Sequence, residues 1–262
     1  MKKYHVLGYP TVAFLRADGS EVDRILGYAP PDEFLSEMER ISAGDSTFES
    51  WRQRVADSPA DLKAQLALAA AYKFRNMYTE TVATGRTITG LAQPGSPEAA
   101  RGRFLTAWGQ AGKDTVPEPL LEVIREDPDS PFYHDIFDNL ITIYRANKDT
   151  LNEVWAFREL IGRAIAADRI TYSMLNAYAW RMTRLDTNLE DALEKAVLAV
   201  DLAKEKDADV RTNIMDTHAE VLWMLGRTAE AIQVMDKCIE LDPESDYFKE
   251  QKAKFEETLA GG

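Results

Sequence analysis

Cysteine is almost missing from this sequence: Cys238 is the only one among 262 residues. A lone thiol closes no internal disulfide, and a dithiol redox centre needs two, so thiol–disulfide chemistry is excluded for the chain as written. Cys238 lies between Met235 and Ile239 in an amphipathic stretch, where a small apolar side chain packs. Positive charge is also scarce, with 31 Lys and Arg against 44 Asp and Glu and a net charge of −13. A surface this acidic repels a phosphate backbone, and no Lys/Arg cluster offsets it locally, so nucleic acid is not expected as a partner. No apolar run approaches the roughly 18 residues of a membrane span. The start of the chain, Met1 to Pro10, carries two lysines but runs into a strand and a turn where an export signal would need an apolar core of about 7–15 residues. The expectation is a soluble chain, cytoplasmic as written and periplasmic if a signal peptide lies upstream. The low cysteine count suits either side of a bacterial inner membrane.

Catalytic signatures are thin as well. There is no P-loop, dinucleotide fingerprint or nucleophile elbow. The three histidines, His5, His134 and His218, are far apart in sequence. Asp216, His218 and Glu220 alternate along a predicted helix, which spreads them around its axis and makes a poor metal triad. No cofactor, metal or catalytic residue is expected, and the chain is not read as an enzyme.

What is present falls into two regions of different period. Val12-Ala13-Phe14-Leu15 is continuously apolar and reads as a strand buried on both faces. Ala17-Asp18-Gly19-Ser20 follows as a hairpin turn, and Glu21-Val22-Asp23-Arg24-Ile25 alternates as a second strand. Gly27 breaks it. Pro30-Pro31-Asp32-Glu33 opens a helix whose apolar residues are Phe34, Leu35, Met38 and Ile41. From about Thr47 nothing reads as strand. Helical segments follow one another, with breaks at Asp57-Ser58-Pro59, Gln93 to Pro97, Asp127 to Pro131, Asn147-Lys148-Asp149 and Asp242-Pro243.

Such a series calls for a search for internal repeats. Ala219, Leu222, Gly226, Ala231, Met235, Cys238 and Pro243 are spaced three, four, five, four, three and five. Ala219 and Ala231 permit close approach of two helices, Gly226 turns the chain out of the first, and Pro243 stops the second. This spacing resembles the tetratricopeptide repeat. Degenerate copies have Ala179, Ala192, Ala196 and Ala199 in one pair of helices and Phe137, Leu140, Ile141, Tyr144, Val154, Phe157 and Leu160 in another. A third pair has Leu66, Ala69 and Tyr72 with a partner ending near Ile88. A further pair lies between Glu98 and Glu126 around Trp108.

The opening segment, Val6 to Leu15 with Tyr9-Pro10-Thr11, then Asp18-Gly19, Gly27 and a helix, resembles the C-terminal half of a thioredoxin domain. That resemblance implies a cis-proline segment at Tyr9, Pro10 and Thr11. It also implies that the family's Cys-x-x-Cys half, which would lie before Met1, is not in this sequence. Lys2-Lys3-Tyr4 resembles the tail of a preceding helix. The resulting expectation is a mainly α chain: a partial thioredoxin-like ββα remnant over 1–43 and a tetratricopeptide-like α-α superhelix over 44–262, ending in a capping helix. The function expected is that of a protein- or peptide-binding scaffold. The alternative is a fragment of a thioredoxin-like thiol–disulfide oxidoreductase or redox chaperone.

In such arrays the first helix of each repeat lines a concave surface. The spacing puts Asn176, Trp180, Asn213, Asp216, Glu220 and Trp223 on that face, with the alternative that Trp180 and Trp223 pack between repeats. Asp216 and Glu220 favour a basic or neutral partner. The strand Val12 to Leu15 lacks a neighbour on one edge: either the natural protein is longer and this is a fragment or late start, or the edge is covered by a partner, by a second copy in a homo-oligomer, or by the repeat array.

Overall fold

The structure is a computed structural model that describes residues 4, 6 and 8–261. The Lys2–Lys3 part of the expected helix tail and His5 lie outside the described residues. Two strands are followed by thirteen helices among the described residues, and no strand occurs beyond Leu26. The chain divides into two compact units, Met1–Lys148 and Asp149–Gly262.

The first unit opens on a hairpin. Strand β1 (Thr11–Leu15) pairs antiparallel with β2 (Glu21–Leu26), Val12 opposite Ile25 and Ala13 opposite Arg24. Asp18 closes the turn by accepting from the Ser20 N–H at 2.8 Å, and Gly19 takes the positive φ of 82° that the tight turn requires. The Tyr9–Pro10 peptide is cis. Helix α1 (Pro31–Ser42) begins with proline in its first turn, followed by Asp32 and Glu33. α1 and α2 (Phe48–Asp57) pack on the sheet through β2. Expected to be buried on both faces, β1 is instead partly open, with Val12 39% and Leu15 44% exposed; among the described residues α1 and α2 pack against the sheet chiefly through β2.

The remaining helices of this unit form antiparallel pairs: α3 (Leu62–Lys73) with α4 (Tyr78–Leu91), and α5 (Pro97–Asp114) with α6 (Glu118–Glu126), followed by α7 (Tyr133–Ala146). Thr47, Asp61 and Ser96 each cap a helix by accepting from the backbone N–H three residues on. Adjacent pairs meet most closely where α4 crosses α5. A Cβ on Gly102 would lie 2.8 Å from the Gly85 carbonyl oxygen and 2.8 Å from the Thr89 nitrogen, so only glycine lets the two backbones touch there.

A buried ionic cluster fixes the hairpin to the first helix pair. Arg75, in the turn after α3, donates to Glu21 at 2.9 and 3.0 Å and to Asp23 at 2.9 Å, and its guanidinium lies 4.1 Å from the centre of the Phe48 ring. Arg24 grips the other side of Glu21 at 2.7 and 2.5 Å, and Arg40 of α1 reaches Asp23 at 3.0 Å. The Arg24 and Arg75 side chains are each only 3% exposed. Alternation along β2 predicts one solvated face; in the structure Asp23, Arg24 and Ile25 are all buried in succession, since both polar residues find buried partners.

The second unit contains α8 (Thr150–Ala166), α9 (Tyr172–Leu185), α10 (Leu189–Ala203), α11 (Ala208–Met224), α12 (Thr228–Leu241) and α13 (Asp246–Gly261). The α11–α12 pair realises the spacing read from sequence. Ala219, Ala231, Met235 and Cys238 are completely buried, and Gly226 turns the chain at φ 74°. The α9–α10 turn uses left-handed residues at Asp186 and Asn188 instead of glycine. α13 packs on α12 as the first helix of another repeat would, and buries Phe248 and Phe255 while its far side is charged. Glu153 of α8 is buried and receives a two-pronged bond from Arg181 of α9 at 2.7 and 2.8 Å. No helix among the described residues is long and apolar enough to cross a membrane.

Candidate functional site

Three first helices of the second unit, α9, α11 and α13, line a cavity of about 720 Å³. Residues four apart on a helix share a face, and the contributions follow that rule. α9 supplies Tyr172, Asn176 and Trp180, at spacing four and four. α11 supplies Asp209, Asn213 and Asp216, at spacing four and three. Tyr247 enters from the first turn of α13. A neighbouring recess of about 310 Å³ shares Asp209, Asn213, Asp216 and Tyr247 and adds Asp242 and Ser245.

Of the six residues expected on a binding face, the structure brings Asn176, Trp180, Asn213 and Asp216 to one cavity. Trp180 is 42% exposed there. Glu220 and Trp223 continue the same stripe of α11 but are engaged by α13. Glu220 accepts from the Lys254 ammonium at 3.2 Å. That ammonium also sits 3.8 Å from the centre of the Trp223 ring, and the Trp223 indole donates to Thr258 at 3.2 Å. Tyr9, Pro10 and Thr11 belong to the first unit, where Thr11 donates to the Gly8 carbonyl at 2.6 Å. Tyr172, Asp209 and Tyr247 were not foreseen. The first two lie four residues before Asn176 and Asn213, so extending the stripe by one turn finds them. Tyr247 needed the packing of α13 to place it.

The electrostatics centre on Asp216. Burial pushes its carboxyl above the usual range; the Tyr247 hydroxyl, which donates to it at 3.0 Å, pulls the other way, and Glu220 adds to the rise. Its partner phenol is pushed up to about 12, first by burial and then by the Asp216 charge. Asp216 has no ion-pair partner among the described residues, since Lys254 is held by Glu220. Asn176 lines the cavity with an Oδ1 that is buried and accepts no hydrogen bond among the described residues.

Other reactive groups in this unit lie outside the cavity. Cys238 is fully buried, its thiol contacts the Thr212 carbonyl, and burial pushes its pKa up to about 12, so a thiolate does not form near neutral pH. Burial and the nearby Arg227 and Lys237 hold His218 below the ordinary histidine value. Tyr178 donates to Asp191, which Lys195 also bonds at 2.9 Å, and burial followed by that carboxylate raises the phenol pKa. Among the described residues no three His, Cys, Asp or Glu side chains converge as a metal-binding group.

No protein-family model matches the chain, and no curated protein sequence does. Thirteen solved chains match it. One is the crystal structure of nearly identical TPR-like repeats from a Podosopora anserina protein assigned as a kinesin light chain. It is 14% identical and superposes with a TM-score of 0.51 over 72% of this chain and 98% of that one. A point variant of the same protein is also 14% identical and superposes at 0.49, over 70% of this chain and 95% of that one. With the helix pairs described above, the first likeness shows the fold of this chain: a mainly α, TPR-like helical repeat.

Proposed function

We propose that this chain is a non-enzymatic, protein-binding repeat scaffold, and that the groove of α9, α11 and α13 holds an extended basic or neutral polypeptide segment. The observation that carries this reading is Asp216: a half-buried carboxylate, bonded by a phenol and without an ion-pair partner among the described residues, in the lining of an open groove. A carboxylate withdrawn from water costs free energy unless a donor meets it, so the groove favours ligands rich in N–H and rejects acidic ones. Panning a displayed peptide library against the whole chain tests the reading. Recovered peptides should bind the wild type and lose binding to Asn213→Arg, which places a long side chain in the groove. Equal binding to both proteins would put the interaction elsewhere.

Residues 1–43 complete the proposal as a redox-inactive thioredoxin-like segment joined to repeats over 44–262. Strand, tight turn, strand, Gly27 and helix follow in the order that family uses, which supports the reading; the one buried thiol gives it no redox chemistry. Among the described residues no strand pairs with the far edge of β1, which favours a second interaction, with another copy of this chain. Gly27 N–H bonds the Pro10 carbonyl at 2.9 Å, which sets the phase of the ladder: Pro10, Val12 and Phe14 face β2, and Thr11 and Ala13 turn their backbone groups outward. Two antiparallel copies of β1 centred on Ala13 would match outward donor to outward acceptor. The strand carries no charge, so the net charge of −13 does not act across that seam at close range.

A further inference from the structure

The acceptors of the second-unit groove form a line. Asp209, Asn213, Asp216 and Glu220 descend one face of α11 at spacings of four, three and four. Glu220, at the end, is neutralised by Lys254, which leaves Asp209 and Asp216 as two carboxylates with no ion-pair partner among the described residues. Seven residues of α-helix separate them, a rise of about 10 Å. Aromatic rings share the lining, with Tyr172 and Trp180 on α9 and Tyr247 on α13. Two cations already lie near these rings without lining the cavity: Lys206 is 5.8 Å from the Tyr172 ring centre and Arg184 is 5.9 Å from that of Trp180.

We infer that this groove is an arginine site, and that it reads two arginines three residues apart on an extended segment laid along α11. The inference rests on the peptide-binding reading above and specifies its ligand. Guanidinium fits where ammonium does not. It offers five donors and no acceptor, forks onto a carboxylate, and stacks its flat face on an indole or phenol ring. The spacing comes from the line of acceptors. A polyproline II segment advances about 3.1 Å per residue with three residues per turn, so positions i and i+3 point the same way about 9 Å apart. That matches the rise between Asp209 and Asp216, whereas residues two apart point to different sides. The first arginine lies against Tyr172 and Asp209. The second enters between Trp180 and Asp216, where Tyr247 already orients the carboxylate.

The test uses the whole chain and labelled proline-rich peptides of one length, read by fluorescence anisotropy. The peptides carry two arginines three apart, two arginines two apart, two lysines three apart, or alanine at both positions. The first should bind best, with each of the other charged peptides weaker by about tenfold, the scale of one charge-assisted hydrogen-bonded pair. Asp216→Asn and Asp209→Asn should each weaken the first peptide by about tenfold and leave the alanine peptide unchanged. Both variants are isosteric, and matching near-UV circular dichroism and thermal midpoints would exclude a folding effect. Equal binding of the arginine and alanine peptides, unmoved by either variant, overturns the arginine assignment while leaving a peptide groove. Binding of no peptide at all overturns the groove reading itself. A lysine peptide as tight as the arginine peptide reduces the site to charge alone and overturns the guanidinium argument.

Discussion

Glycine in this chain does opposite things at different positions. Gly85 and Gly102 sit where α4 and α5 touch, and a Cβ on either would lie within 2.9 Å of the facing backbone. Helix propensity alone favours replacing them by alanine, and packing forbids it. Gly162, inside α8, has nothing within 4 Å of where its Cβ would stand. Gly102→Ala should therefore destabilise by about 1–3 kcal/mol through overpacking, while Gly162→Ala should stabilise by about 0.5–1 kcal/mol through reduced freedom of the unfolded chain. Urea midpoints of the two single variants check both signs. The sequence could not separate these positions, because the difference lies in what faces each glycine and not in its own helix. Cys238 was legible: Met235 and Ile239 around it in an amphipathic stretch foretold the apolar burial that the structure gives it.

Among the elements, the helices of the repeats followed largely from local rules: the breaks read at 57–59, 93–97, 127–131, 147–149 and 242–243 all fall at helix ends, whereas the turn at 74–77, with neither proline nor glycine, was not read. Thr47, Asp61 and Ser96 start their helices by side-chain capping, a contact spanning only three residues. The hairpin also followed from its turn. Its docking did not, since Glu21 and Arg75 are 54 residues apart and nothing in either neighbourhood names the other. Burial pushes the Glu21 carboxyl up, but the Arg24 and Arg75 guanidinium groups outweigh it and hold the pKa below the usual range. A carboxyl whose folded pKa is depressed gives stability that is complete above its unfolded value and is lost as pH falls through the folded one. Acid should therefore weaken this junction below about pH 4.5. Arg75→Met takes one of two arginine partners from each of Glu21 and Asp23, which keep Arg24 and Arg40, and should cost about 1–3 kcal/mol at neutral pH. Thermal melts of the variant and wild type at pH 7 and pH 4 measure both effects, and the gap between the two proteins should narrow at the lower pH.

For the whole molecule, composition limited the choices early, through net negative charge and near absence of thiols, and the repeat spacing then identified the fold. The candidate groove was half legible. Helical periodicity placed Asn176, Trp180, Asn213 and Asp216 together, but α13 draws Glu220 and Trp223 into its own packing, a long-range contact with no local signature. Self-association belongs to this scale as well. Ala13→Pro removes an outward N–H that the β1–β2 ladder does not use, so the hairpin should survive while pairing between copies fails. Sedimentation should find a wild-type dimer and a variant monomer with the same circular dichroism. A wild-type chain that stays monomeric removes the proposal of a second copy on β1.

The ion cluster between the hairpin and α3 also sets an order of events during synthesis. Glu21, Asp23 and Arg24 leave the ribosome well before Arg75, which is 54 residues behind Glu21 and 52 behind Asp23. At about 5–20 residues per second that interval lasts roughly 3–10 s. Throughout it the hairpin holds carboxylates that cannot yet be neutralised by Arg75, and a two-stranded ribbon alone is marginal in water. The hairpin is thus among the segments that must wait: its final packing begins only when the turn after the first paired helix emerges and delivers the guanidinium group.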